Sequence, residues 1–299
     1  MTQSYWDTDD IADQTDRQVV ITGATSGIGR EAARILAGKN ASVTIGARNL
    51  QKAEDVVDKI RNEFPSADLS VRELDLSNLA SVARFAGSII SDFNRLDVLI
   101  NNAGIMMCPH SKTEDGFEIQ MGTNHLGHFA LTGHLLPLLQ KTAGARIVVL
   151  SSLAHKMGNI DFNDLNWEQR KYNTNTAYGD SKLANLLFAY ELARKLEQFD
   201  NNPLVTAAHP GWTGTDLQRH SGLISFLNRF FAQGVDMGAL PTLRAGFDSE
   251  AQSGSFYGPS RFFEMHGNPI KVKSNGRSHD QQAARELWQQ SEKLTGVIY

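Results

Sequence analysis

Tyr178 and Lys182 stand four positions apart in "AYGDSKLAN" (residues 177–185), a stretch with an otherwise ordinary helical pattern. Positions i and i+4 of a helix lie one above the other on the same face, so the phenol and the ammonium should meet. A free tyrosine titrates at about pH 10, too high for ready proton exchange at neutral pH, and a neighbouring ammonium favours the phenolate. The pair is thus a candidate acid/base centre, suited to protonating a carbonyl oxygen or taking the proton of an alcohol. Reducing a carbonyl also needs a hydride, which no side chain donates. The spacing alone does not separate this reading from a lysine and an aromatic sharing a surface face, and the elements that position the pair must decide.

Short β-branched runs alternate with longer helical patterns along the chain. Strands are expected at 18–24, 41–47, 69–75, 96–104, 145–152 and 204–211. Apolar residues recur every three to four positions at 27–40, 50–64, 79–93, 124–140 and 177–199, and a terminal helix over 284–299 is packed by Leu287, Trp288 and Leu294. This alternation implies βαβ crossovers and a parallel sheet covered on both faces. No Pro, Gly or Ser linker and no repeat divides the chain. The fold class is therefore α/β, a single doubly wound parallel sheet of Rossmann type with helices on both faces, spanning 17–299 behind a polar tail of residues 1–16 that is mobile or loosely docked.

The first strand runs into "TGATSGIGRE". Gly23, Gly27 and Gly29, with Thr25, Ser26 and Ile28 between them, form a turn whose missing side chains let backbone approach a pyrophosphate. The following helix N-terminus offers free N–H groups and partial positive charge. The expected ligand is a dinucleotide. The second strand ends in "IGARN", with Ala47 where a carboxylate would repel a 2′-phosphate and Arg48 next to it, which favours NADP(H) over NAD(H). Arg30 either adds a second positive charge to that pocket or lies solvated on its helix face.

With these motifs in order, Thr-Gly-x-x-x-Gly-x-Gly at 22–29, Asn-Asn-Ala-Gly at 101–104 and Tyr-x-x-x-Lys at 178–182, the chain resembles the short-chain dehydrogenases/reductases. Its segments "NNAGIMMCPHSKTEDGFEIQMGTNHLGHF" and "SSLAHKMGNIDFNDL" are similar to the retinol dehydrogenase branch, which acts on lipophilic aldehydes and alcohols. The resemblance implies a catalytic set of Asn124, Ser152, Tyr178 and Lys182. Ser152 orients the substrate oxygen, in preference to Ser151, because adjacent strand residues face opposite ways. Lys182 also holds the nicotinamide ribose and, together with the oxidised nicotinamide ring, lowers the Tyr178 phenol toward the working range, and Asn124 links the lysine to solvent through helix backbone and a bound water. Asp75 and Leu76 flank the adenine, while Asn101, Asn102, Ala103 and Gly104 line the cofactor cleft. Pro210 and Gly211 make a turn at the sheet end, where backbone and Thr213 or Thr215 contact carboxamide and phosphate. The step from Ser152 to Tyr178 is long, so an insertion near 155–175 is expected to loop beside the pocket. The family often pairs through the helices holding Asn124 and Tyr178, which makes a homodimer possible.

The rest of the sequence bounds the partners. A net charge of -4 and a pI of about 6.1 provide no field for nucleic acid. The single cysteine, Cys108, excludes an internal disulfide and reads as a small buried hydrophobe. The nine histidines show no metal-ligand spacing and read as packing or capping groups. The N-terminal stretch carries neither an export signal nor the hydrophobic anchor of membrane-bound retinol dehydrogenases, and no apolar run reaches the ~18 residues of a transmembrane helix, so a cytoplasmic protein without integral membrane association is expected. Leu223, Ile224, Phe226, Leu227, Phe230 and Phe231 form a stripe that reads as core, as part of a substrate lid over about 213–240, or as a lipid-surface contact. The resulting expectation is an NADP(H)-dependent oxidoreductase that interconverts an alcohol and an aldehyde or ketone, acting on a small apolar substrate and using no metal. The rivals are an NADP(H)-sensing binding protein without turnover and a sugar-nucleotide epimerase or dehydratase.

Overall fold

The computed structural model describes residues 5–199, 201–212 and 233–299. Eight strands form one sheet in the order β3-β2-β1-β4-β5-β6-β7-β8. They are β1 (Gln18–Thr22), β2 (Ser42–Ala47), β3 (Leu69–Glu73), β4 (Val98–Asn101), β5 (Arg146–Leu150), β6 (Leu204–Ala208), β7 (Phe256–Arg261) and β8 (His266–Lys271). The strands β1 to β7 pair in parallel and β8 joins the edge antiparallel. The order reverses between β1 and β4, and ligands of open α/β sheets bind at such a switch point. The six expected strands all form; β2 ends with its run at Ala47, and the other five stop short, so that residues 23–24, 74–75, 102–104, 151–152 and 209–211 lie beyond the C-terminal strand ends. Those overhangs carry most of the candidate site.

The helices are α1 (Gly27–Gly38), α2 (Leu50–Glu63), α3 (Leu79–Asp92), α4 (Gly127–Lys141), α5 (Thr174–Leu196), α6 (Val235–Phe247) and α7 (Gln281–Thr295). Two apolar cores lie on opposite faces of the sheet. Leu36 of α1, Val57 of α2 and Leu243 of α6 pack with Ile21 and Ile45 on one side. Phe85 of α3, Phe129 of α4 and Leu192 of α5 pack with Leu99 and Ile147 on the other. Asn49, Asn78, Asn173 and Asp280 each cap their helix through a side-chain oxygen.

The β7–β8 hairpin was not foreseen in the sequence, because "FYGPSR" and "HGNPIK" each contain Gly and Pro. Both prolines sit where strands tolerate them: Pro269 on the edge strand and Pro259 at a shift of register. Residues 5–16 do not hang free. Ile11 is 2% exposed within the first core, and the Gln14 N–H donates to Lys39 O at 2.8 Å. Residues 235–240, the end of the expected lid range, belong to α6, where Ala239 and Leu243 are fully buried. The apolar stripe at 223–231 lies outside the described residues.

The C-terminus covers the helices through which pairing was expected. Trp288 of α7 is 3% exposed, stacks on Phe188 of α5 with centroids 5.9 Å apart and meets Phe129 of α4 edge-on at 5.2 Å. Tyr299 lies 4.8 Å from the Phe129 ring and donates its hydroxyl to Phe129 O at 2.7 Å. A homodimer built on α4 and α5 would have to displace this cover. Trp288→Ala should cost about 3–5 kcal/mol, the range for emptying a large aromatic site. Urea denaturation checks it, and a loss below about 1 kcal/mol would mean that α7 is not a structural part of this face.

Candidate active site

The glycine turn leaves β1 with Gly23 at φ 71° and Gly27 at φ 54°, left-handed conformations that favour glycine. A Cβ on Gly23 would stand 2.7 Å from the Ala103 Cβ, and one on Gly29 would stand 2.4 Å from the Asn102 side-chain nitrogen. Asn102 explains the tightness: its Nδ2 donates to Thr22 O at 2.7 Å and to Gly23 O at 3.3 Å. Thr22 Oγ1 in turn accepts the N–H groups of Asn102 (3.0 Å) and Ala103 (2.9 Å). The ends of β1 and β4 are therefore knit together at the switch point. Asn101, by contrast, is buried and donates to Thr132 Oγ1 of α4 at 2.8 Å.

Ser26 occupies the N-cap of α1 without a side-chain cap bond, so the first-turn N–H groups stay open to an anion, beside half-buried Thr25 and buried Ile28. Arg30 and Arg48 are exposed, and neither side chain has a hydrogen-bond or ion-pair partner among the described residues. Arg48 follows β2, whose Gly46 O accepts the Gly23 N–H at 2.8 Å, so its backbone lies two residues from the point where β2 meets the glycine turn. Ala47 is buried. Asp75 uses Oδ1 to accept from Ser77 N (2.9 Å) and Ser77 Oγ (2.6 Å), while buried Leu76 packs against Gly127 at the start of α4. These residues fit a dinucleotide phosphate: a side-chain-free cradle, a helix end without a side-chain cap, and two exposed arginines in the first turn of α1 and just after β2.

The acid/base candidates converge on α5. Tyr178 is 7% exposed, and burial pushes its phenol up to about 12 against the opposing effect of the neighbouring Ser152 side chain. Lys182 is 4% exposed; its Nζ lies 5.7 Å from the Tyr178 ring centroid and donates to Leu150 O at 3.4 Å. Burial lowers its ammonium to about 8. Burial is thus the largest influence on Tyr178 among the protein's own groups, whereas the expected lowering counts the oxidised nicotinamide ring together with Lys182. The two serines separate cleanly. Ser151 is buried and donates to Lys182 O at 2.8 Å, whereas half-buried Ser152 points to Tyr178 and accepts the Ala154 N–H at 3.2 Å.

Asn124 lies in a π-turn, Gly122–Leu126, ahead of α4. Its side chain accepts the Ile105 N–H (2.8 Å) and donates to Ile105 O (2.9 Å) and Ser181 Oγ (2.9 Å). Ser181, which the sequence left without a role, donates to Tyr178 O at 2.8 Å and so joins Asn124 to the helix of the acid/base pair. Gly104 makes room, since a Cβ there would stand 3.2 Å from Asn124 Oδ1 and 3.3 Å from Lys182 Nζ. Asn124, Ser152, Tyr178, Lys182 and Gly104 are thus brought together.

The geometry agrees with what the chain is similar to. The short chain dehydrogenase family profile matches residues 17–223. The chain belongs to this family. Human (Homo sapiens) retinol dehydrogenase 13 is 40% identical over 291 residues, covering 94% of this chain and 85% of the relative. Human retinol dehydrogenase 14 is 40% identical over 304 residues, covering 94% and 87%. A crystal structure of an uncharacterised protein from Mycobacterium paratuberculosis superposes with a TM-score of 0.84 at 41% identity, covering 99% of both chains. A short chain dehydrogenase from Shigella flexneri complexed with NADP superposes with a TM-score of 0.64 at 27% identity, covering 82% of this chain and 97% of that one.

Several groups around this dehydrogenase site were missed because their partners are remote in sequence. His155 Nδ1 lies 2.6 Å from Ser152 O, and its Nε2 accepts the Asn275 N–H at 3.4 Å, fastening the serine turn to the C-terminal region. His209 Nε2 lies 3.0 Å from Glu264 Oε2, tying the end of β6 to the β7–β8 hairpin. Beyond it Gly211, at φ 68°, packs on Met265 O, and Pro210 O accepts from the Gln233 side chain at 2.8 Å. Thr213 and Thr215 lie outside the described residues. Among the described residues no cluster of His, Cys, Asp or Glu is arranged to hold a metal, and no helix is long and apolar enough to cross a membrane.

The insertion at 155–175 folds back on α5 through Asp180, two residues from the tyrosine. Asp180 is 1% exposed, accepts the Asn159 N–H at 2.7 Å, and its Oδ2 lies 3.5 Å from an Arg170 guanidinium nitrogen. Arg170 is stacked 3.6 Å from the Trp167 ring centroid. Burial pushes the Asp180 carboxyl from 3.8 up to about 6, against the Asn159 bond and the Arg170 charge. A raised carboxyl means that the folded chain holds a proton which the unfolded chain releases. Its contribution to stability is therefore present below about pH 4 and lost as pH rises through about 6. Relative to Asp180→Asn, the native protein should gain stability between pH 7 and pH 4.5. Denaturant titrations of both proteins at the two pH values test this, and an equal difference at both would mean an unshifted carboxyl.

Proposed function

We propose that this short chain dehydrogenase is an NADP(H)-dependent oxidoreductase of the cytoplasm that interconverts an apolar alcohol and its aldehyde or ketone, with Tyr178 as general acid/base. The observation that carries the reading is the buried Tyr178 phenol, with the Ser152 side chain beside it favouring the phenolate and Lys182 one helical turn away, its Nζ 5.7 Å from the ring centroid. A binding protein that only senses the dinucleotide needs no such set.

The residues divide the work. Gly23, Gly27, Gly29 and the open N-terminus of α1 receive the pyrophosphate, Arg48 and Arg30 the 2′-phosphate, and Lys182 the nicotinamide ribose. The reduced cofactor, when bound, supplies hydride to the carbonyl carbon. Ser152 Oγ and the Tyr178 hydroxyl bind the carbonyl oxygen from the same side, and Tyr178 passes its proton to that oxygen as it becomes an alkoxide. Lys182, lowered to about 8, is a cation held close to the proton balance of neutral solution. In the oxidative direction Tyr178 takes the alcohol proton, a step that its own burial opposes and that added positive charge in the cleft favours.

Two features support an apolar substrate. The relatives are named for retinol, a lipophilic alcohol, and the half-buried run Ile105, Met106 and Met107 begins at the residue that Asn124 holds by both backbone groups.

NADPH oxidation with a panel of lipophilic aldehydes and ketones tests the reading. Tyr178→Phe should lower kcat by about 10²–10⁴, the usual contribution of a positioned acid. Equal turnover by both proteins would remove Tyr178 from the chemistry. Arg48→Ala should weaken NADPH by about tenfold or more, as expected for a lost charge-assisted hydrogen bond, and leave NADH within about twofold. Tighter binding of NADH than NADPH by the native protein would overturn the assignment of Arg48.

A further inference from the structure

His128, in the first turn of α4, is fully enclosed, and its ring makes two hydrogen bonds to groups far apart in the chain. Nδ1 lies 3.0 Å from Asn124 O and Nε2 lies 2.9 Å from Thr22 Oγ1. The accounting of protons fixes the direction of both. A backbone carbonyl only accepts, so Nδ1 carries the hydrogen. Burial first, and then the charge of Lys182, lowers the imidazolium to about 4, so the ring is neutral and Nε2 is bare. The Thr22 hydroxyl must therefore donate to Nε2, which leaves its oxygen lone pairs to accept the N–H groups of Asn102 and Ala103. The same hydroxyl lies 3.5 Å from Ile100 O, farther than its 2.9 Å to Nε2, so the imidazole is its nearer acceptor in this chain of five residues.

The two ends of the bridge matter for different reasons. Thr22 ends β1 at the glycine turn, and its oxygen fixes the backbone of Asn102 and Ala103 in the cleft. Asn124 sits in the π-turn, where backbone pairing is shifted so that the Gly127 N–H bonds Gly122 O, and its side chain reaches Ile105 and Ser181. A π-turn in an otherwise regular helix is a strained local choice that neighbouring contacts must hold. His128 is the side chain that grips its carbonyl from outside the backbone. The charged or titratable groups nearest the ring are Lys182 of α5 and His125 of the π-turn, the latter also lowered, to about 3, by burial.

We propose that His128 is a positioning residue for the reaction, a neutral Nδ1–H bridge that locks the Asn124 carbonyl to Thr22 and so holds the π-turn beside Lys182 in fixed register with the cofactor-side strand ends. The inference rests on the function proposed above. It predicts that loss of the bridge moves the proton-transfer step more than substrate binding.

The test has an arm that does not depend on turnover. In histidine-labelled protein, ¹H–¹⁵N correlation spectra should show His128 neutral and protonated on Nδ1 from pH 5 to pH 8, and Thr22→Val should shift its Nε2 resonance. A proton on Nε2, or no response to Thr22→Val, overturns the bridge. In the kinetic arm, His128→Phe should lower kcat roughly 10- to 100-fold, the scale of an ångström-level misplacement of reacting groups, with KM for the carbonyl substrate within about twofold. The pH profile of kcat should shift with it. Thr22→Val should reproduce the effect, Thr22→Ser should restore it, and the double variant should be no worse than the poorer single one, because both remove the same bridge. Additive losses, or an unchanged kcat and pH profile, overturn the positioning role. If His128→Phe does not fold, the Thr22 variants and the spectra decide. If the native protein turns over no carbonyl compound, the functional reading fails while the spectra still report on the bridge.

Discussion

The burial of Lys182 is the constraint around which this site is organised. An ammonium that is 4% exposed has given up most of its hydration, and desolvated charge is costly unless nearby dipoles replace the water. Here the replacement is sparse: Leu150 O at 3.4 Å is the acceptor that reaches Nζ. The consequence is an ammonium lowered to about 8, near the point where it releases its proton. Everything close to it serves to keep that position available. Gly104 leaves out a side chain that would crowd Nζ, Ser151 holds the Lys182 backbone, and Asn124 and Ser181 hold the helix at Tyr178.

Packing of α5 makes this burial possible. The helix is enclosed along nearly its whole length, between the sheet on one side and α4 and α7 on the other. A helix covered on all sides cannot shift its face without emptying a core, so the angular position of Tyr178 and Lys182 is fixed by apolar contacts far from the site. The aromatic group of Phe129, Phe188, Trp288 and Tyr299 is one such set of contacts. The opposite constraint acts at the glycine turn, where the absence of side chains lets β1 and β4 be knit by Thr22 and Asn102, leaving a cleft whose walls are backbone.

The legibility of the sequence followed the range of each interaction. The glycine turn, the alternation of strands and helices and the spacing of Tyr178 and Lys182 are local patterns, and each appears where expected. Ser152 was chosen over Ser151 through the family resemblance, with strand alternation allowing only one of them to face the cleft; both lie just beyond β5, where their contacts separate them. The roles of His128, His155 and Ser181 were hidden, since each depends on a partner brought near by folding: Thr22, Asn275 and Asn124. The β7–β8 hairpin escaped because proline argues against a strand until one knows that the strand is at an edge or beside a register shift.

The sequence by itself thus determined the doubly wound order of the first six strands, the glycine turn and the shared helix face of Tyr178 and Lys182, because backbone periodicity, glycine's freedom and fixed helical spacing act within a few residues. Only the tertiary structure decided how those groups are tuned. Burial raises the Tyr178 phenol and lowers the Lys182 ammonium. It also holds Asp180 half-protonated near pH 6 beneath the insertion and places a neutral imidazole between the cofactor-side strands and the π-turn. Those effects depend on which water each group has lost, and a linear chain does not contain that information until its cores have closed.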